Sequence, residues 1–345
     1  MNISLLTGLG LIIIAAVCNG LYAAPSKYMK SLNWENTWGS FFLMTTIIIP
    51  LIVAMLFLNK PLNSLIDTWT EAGSQYIIIP FVFGMLWGLG FILWGKGLAL
   101  TGISLGYTIA FGLVAIVGSV IPLLLASGGN DFSKGNMVIL TGILICLAGI
   151  IVSGIAGKNR ESLQNVTKGG VNRKLFLKGL LFVVLAGLFS GCLNIGFTYG
   201  AVIVERSISI YNNKPWMATL NIWLLLFAGC FIVSGSYTLI LHIKNRSFRN
   251  YISNNSGKDM MKILLMAVLH FLNLFLYGAG AYLLGKSGNV VGWAINFSLA
   301  LVVANIFGIL SGEWKGIHLG TKVSLYGGVL LLVIGSVILG IGNNI

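Results

Sequence analysis

His270 sits alone inside a long apolar run, with Asn273 and Tyr277 three and seven positions further on. At about 3.6 residues per turn, all three share one helical face. Imidazole titrates near neutral pH, so this face can exchange a proton, while the amide and the phenol can hydrogen-bond a polar solute. A second apolar run places Trp87, Phe91 and Trp94 on one face at the same kind of spacing. A shift of 183 positions carries Trp87 onto His270 and Trp94 onto Tyr277. A third run aligns Ser190, Asn194, Thr198, Ala201 and Glu205, and two others supply Asn19 with Tyr22 and Trp293 with Asn296. Aromatic rings can cover the C–H face of a sugar while amides and hydroxyls pair with its OH groups. The candidate substrate-binding residues are therefore Asn19, Tyr22, Trp87, Trp94, Asn194, Asn273, Tyr277, Trp293 and Asn296. The candidate proton-coupling residues are His270 and Glu205.

Other chemistries find no support. The chain has only eight acids, Glu35, Asp67, Glu71, Asp131, Glu161, Glu205, Asp259 and Glu313, and no two make a pair buried in one apolar run. His242, His270 and His318 are far apart, and no metal or catalytic motif includes them. Cys18, Cys146, Cys192 and Cys230 lie in apolar runs without metal spacing and read as small buried hydrophobes. Gly280 to Ser287 fits the phosphate-loop expression G-x-x-x-x-G-K-S, but such a loop needs a strand before it and water around it. Here it joins two apolar runs. We expect no enzyme activity, no metal, no cofactor, no nucleotide and no nucleic acid. A phosphorylated solute would want a cation in the binding cavity, and Lys96 is the only basic residue read at any depth in a run. A cationic solute would want a carboxylate at mid-run. Elimination leaves a neutral polar solute.

These residues need a lipid bilayer around them. The 345 residues are 57% hydrophobic and 8% charged, with a mean hydropathy of +0.94, far too apolar to clothe a water-facing surface. Ten spans are expected, at 4–24, 37–58, 76–99, 102–127, 136–157, 176–205, 217–243, 260–284, 287–310 and 323–342. Of the 21 basic residues, 16 fall in the odd-to-even loops or the adjoining span ends and 5 on the other side. The positive side faces the cytoplasm, so both termini are expected outside. The basic linker 158–175 separates two five-span halves, 1–157 and 176–345. An odd number of spans per half inverts one half against the other, a build that places the substrate between the halves. A shift of 171 carries Gly8, Ala15, Asn19 and Gly20 onto Gly179, Ala186, Ser190 and Gly191; the shift of 183 carries Gly97 onto Gly280. The residues themselves leave three roles open: an uptake protein, an exporter or uncoupled facilitator, and a membrane sensor that moves nothing.

One set of motifs narrows this. Gly20-Leu-Tyr-Ala-Ala-Pro25 precedes Lys27, Lys30 and Trp34-Glu35-x-x-Trp38. Phe83-Gly-x-x-Trp-Gly-x-Gly90 leads on to Gly102, Gly106, Gly112, Gly118 and Pro122, and Glu313-Trp314 follows span nine. In these stretches the chain resembles the L-rhamnose–proton symporter family of the drug/metabolite transporter superfamily. The likeness runs over nearly the whole length. It departs at the head of span nine, where Asn289 stands in place of an acid. The resemblance implies ten helices in two inverted five-helix repeats and a central cavity lined by spans one, three, four, six, eight and nine. It also implies proton-driven uptake of L-rhamnose or a similar deoxy sugar across a bacterial inner membrane. Tyr22, Trp34, Glu35 and Trp38 match family positions.

Overall fold

The computed structural model describes residues 3–101, 103–126, 133–164, 173–253 and 256–345, with backbone alone at 103–105, 107, 126 and 161–164. Much of the linker expected at 158–175, and Asp131, lie outside the described residues.

Among the described residues, ten helical spans are long and apolar enough to cross a membrane: Ile3–Tyr28, Trp34–Phe57, Gln75–Thr101, Thr108–Leu125, Lys134–Arg160, Arg173–Tyr211, Pro215–Asn245, Ser256–Leu284, Gly288–Leu310 and Leu319–Gly342. Each sits on its sequence-predicted counterpart, because a buried backbone in hydrocarbon is satisfied most simply by a helix. Three local features escaped the hydropathy reading. Span two is π-helical over Leu43–Ile48, just before Pro50, whose missing N–H disturbs the regular ladder. Span six breaks at Gly200 into Arg173–Tyr199 and Ala201–Tyr211, so Ala201 and Glu205 leave the face shared by Ser190, Asn194 and Thr198. The helix of span five continues to Gln164, beyond the boundary expected at 157.

Between spans two and three, a short helix, Pro61–Asp67, exposes Leu62 and Ile66 and carries on to an exposed Trp69. The phosphate-loop lookalike is a helix end, a turn at Gly285 (φ +79°) and a helix start at Gly288, with no strand before it.

Span one packs along spans eight and nine, and span six packs along spans three and four. Span five lies against span ten, and spans four and nine meet. The close crossings are made by glycine. A Cβ on Gly8 would stand 3.1 Å from the Gly280 carbonyl oxygen, and one on Gly97 would stand 3.3 Å from that of Gly179. A Cβ on Gly20 would stand 2.6 Å from the Ala300 carbonyl oxygen, and one on Gly191 would stand 2.6 Å from the Val117 Cβ. Without a side chain at these points the backbones approach closely enough for extensive dispersion contact, the main source of helix association in lipid.

Candidate functional site

One cavity of about 370 Å³ opens at the end of the bundle that carries Lys27, Arg160 and Glu313, opposite the chain termini. Spans one, four, five and nine form most of its wall. Asn19 and Tyr22 lie on it, with Phe111 from span four and Asn305 from span nine. Its mouth holds a charged cluster. The Glu313 carboxylate accepts from Lys27 Nζ on one oxygen and from Arg160 Nη1, at 2.9 Å, on the other. The Arg160 guanidinium also lies 4.9 Å from the centre of the buried Trp314 ring. Burial works to raise the Glu313 pKa, but the Lys27 hydrogen bond and the charges of Lys27 and Arg160 outweigh it. The carboxyl therefore stays below its ordinary range.

The remaining sequence-predicted residues lie behind this cavity in three groups. The first is an amide ladder. Asn19 Nδ2 donates to Asn296 Oδ1 at 3.2 Å, and Asn296 Nδ2 donates to Asn273 Oδ1 at 2.8 Å, linking spans one, nine and eight.

The second is a seam towards the terminal end of the bundle. Asn194 Nδ2 donates to the carbonyls of Gly118 (2.6 Å) and Asn289 (2.9 Å), and its Oδ1 accepts from the Tyr277 hydroxyl. Asn289 Nδ2 donates to Thr198 Oγ1 at 3.2 Å, and Trp293 Nε1 donates to the Val114 carbonyl at 3.0 Å. Spans four, six, eight and nine are thus fastened together. Asn194, Tyr277 and Trp293 are fully buried, as an amide or phenol in a low-dielectric interior can be only when it is paired.

The third group is an aromatic box around His270. The imidazole stacks on Trp87 at 5.7 Å with an interplanar angle of 6°, and Tyr22 and Phe41 approach edge-on at 4.9 and 5.3 Å. Its Nδ1 meets Thr45 Oγ1 at 3.0 Å. Thr45 comes from the π-helical turn of span two, which sequence spacing gave no reason to select. Trp94 sits apart, edge-on to Phe111 at 5.4 Å. Glu205 is exposed beyond the Gly200 break and takes no part in the box; its neighbour Arg206 pairs with Glu71. Lys96 is exposed too, with its ammonium 4.8 Å from the Tyr237 ring centre and away from the cavity.

Of the sequence-predicted residues, the structure brings together Tyr22, Trp87 and His270, and also Asn19, Asn273 and Asn296. Sequence reasoning missed Arg160, Asn305 and Thr45, and selected Glu313 only through the Glu313-Trp314 motif. Arg160 was counted as a loop cation because its span was ended three residues too early.

The family model described as L-rhamnose-proton symport protein (RhaT) matches residues 1–345. An L-rhamnose-proton symporter of Yersinia pestis (strain Pestoides F) is 26% identical over 353 residues, covering 99% of each chain. One of Citrobacter koseri is 25% identical over 340 residues, covering 96% of each. A solved crystal structure shares the fold at a TM-score of 0.59 and 10% identity, covering 97% of this chain and 96% of that one. The match over the full length, on a bundle of apolar helices around a cavity, places this chain in the L-rhamnose-proton symport protein family.

Proposed function

We propose that the protein takes up L-rhamnose together with protons by alternating access. The observation that carries the reading is the full-length family match, joined to a cavity that combines rings with hydrogen-bonding groups. The cavity is large enough for a small solute, since ligand sites commonly start at about 300 Å³.

The basic end faces the cytoplasm by the charge asymmetry of the loops, which puts both termini outside and the protein in a bacterial inner membrane. The cavity then opens inward, and the Asn194–Tyr277–Asn289 seam closes the outer half. In the outward-open state the seam parts. Asn194, Asn273, Tyr277, Trp293 and Asn296, with Trp87 and Trp94 behind them, then face the arriving sugar. The two arrangements are related by an inverted repeat. The Gly8–Gly280 and Gly97–Gly179 crossings support it, because the shifts of 171 and 183 carry one onto the other.

His270 is the proton carrier. The box excludes water, and the Trp87 face offsets part of the cost of charging the imidazole there. Protonation biases the bundle only as far as the charged form binds one state better than the other. Glu205, exposed at the outer end of span six, lies where a proton would enter.

Labelled L-rhamnose uptake into proteoliposomes tests the reading. An inward proton gradient should drive accumulation above equilibrium. Uptake that only equilibrates, gradient or not, would leave a facilitator.

A further inference from the structure

Two residues on the cavity wall each carry a buried nitrogen that has no hydrogen-bond partner among the described residues: Arg160 Nε and Asn305 Nδ2. Arg160 stands on the last turns of the span-five helix, and Asn305 on the cavity face of span nine, one turn after Leu301 and one turn before Gly308. Both unmet groups are donors. Burying a donor without an acceptor costs a full desolvation penalty, so an orphan of this kind marks a position where something else supplies the acceptor. Two such donors on one cavity, beside the equally unpartnered Ser153 hydroxyl, ask for a ligand that carries oxygen lone pairs and hydroxyl protons together.

Part of the guanidinium is already committed. Nη1 is held by Glu313, and the plane is held over Trp314. Arg160 is therefore held in place with its buried Nε–H still to satisfy. Such a preorganised donor loses little entropy when it binds. Glu313 offsets part of the positive charge, so the site does not require an anion.

Resting on the rhamnose reading above, we propose that Arg160 Nε and Asn305 Nδ2 are the donors that recognise hydroxyl oxygens of the sugar. They would make spans five and nine the specificity-setting wall. Each sugar hydroxyl that accepts from one of these donors keeps its own proton to give to a neighbouring acceptor. A hydroxyl at that position is thus distinguished from a bare carbon, which would leave the donor unmet.

The test is L-rhamnose binding to the purified full-length protein, followed by calorimetry, with a set of mono-deoxy rhamnose analogues alongside. Asn305→Ala and Arg160→Lys should each weaken L-rhamnose about tenfold, the scale of one lost hydrogen bond to a sugar. Arg160→Lys keeps the charge at the Glu313 pair, and Glu313→Gln should weaken binding by no more than about threefold. A Glu313→Gln loss as large as that of Arg160→Lys would mean that Arg160 acts only by organising the mouth. For Asn305→Ala, one deoxy analogue should bind the variant and the wild type equally, because the hydroxyl that the Asn305 amide would bond is absent from both complexes. Ser119→Ala, which alters a buried serine away from the cavity, controls for general loosening. If the wild type binds L-rhamnose and both variants match it, this assignment is wrong while the transport reading stands. Failure of the wild type to bind any neutral sugar would instead remove the reading beneath it. Tighter binding of a rhamnose-sized sugar carboxylate would show that the donors serve an anion, and would overturn the hydroxyl assignment.

Discussion

The Tyr277 hydroxyl donates to the side-chain oxygen of Asn194, and both residues also bond the backbone carbonyl of Asn289. Three spans are closed on one another by groups that have no water to turn to. Phenylalanine at 277 keeps the ring packing and removes the donor, leaving the Asn194 oxygen unmet at a cost of about 1–3 kcal/mol. In a two-state bundle that is roughly a 5- to 150-fold shift towards the outward-open form. A cysteine at Ser287, in a background without the native cysteines, should then react faster with an impermeant thiol reagent from outside. An unchanged labelling rate would mean that the seam does not hold the outer half shut.

His270→Ala removes the imidazole from its aromatic box while leaving the cavity wall intact. Concentrative uptake should fall to the equilibrium level, and exchange of labelled for unlabelled sugar should persist. Accumulation surviving the substitution would move the proton-carrying role elsewhere.

The glycine crossings carry a packing prediction. A Cβ on Gly280 would stand 2.8 Å from the Gly8 carbonyl oxygen, and one on Gly97 would stand 2.6 Å from Val183. Gly280→Ala and Gly97→Ala should each destabilise the protein by about 1–3 kcal/mol, seen as a lower unfolding temperature in detergent. Gly10→Ala, with open space around it, should not. Equal losses at positions 280 and 97 are expected if the two halves are structurally equivalent.

The pH dependence of transport follows from the sign at Glu313. Its carboxyl is held below the usual range, so its folded value lies under its unfolded one. The contacts with Lys27 and Arg160 are then fully present above the ordinary carboxylate value of about 4.3, and are lost only as pH falls through the lowered one. Between about pH 5.5 and 8 Glu313 stays ionised. Glu313→Gln should change the transport rate without moving the midpoint of the pH profile. A shifted midpoint would make Glu313 part of the proton path.

The spans were legible because hydrocarbon imposes a long apolar signature on each. The shared faces of span eight and span three were legible too, from helical period alone. Helical period does not say which face meets which. Trp87 reached His270 because spans three and eight converge on it with span one, a tertiary fact. The amides at 194, 273 and 296 read as sugar ligands from their type; here Asn296 donates to Asn273, while Asn194 is satisfied by Tyr277 and two backbone carbonyls. Thr45 and Arg160 depended on a π-helical turn and on a helix outlasting its apolar run, features that hydropathy cannot register.

The most direct test of the account is the pH of a lightly buffered suspension of cells expressing the protein, followed as L-rhamnose is added. The account predicts a prompt alkalinisation of the medium, abolished by an uncoupler and absent from cells without the protein. Labelled L-rhamnose entering the cells with no change in pH would contradict it.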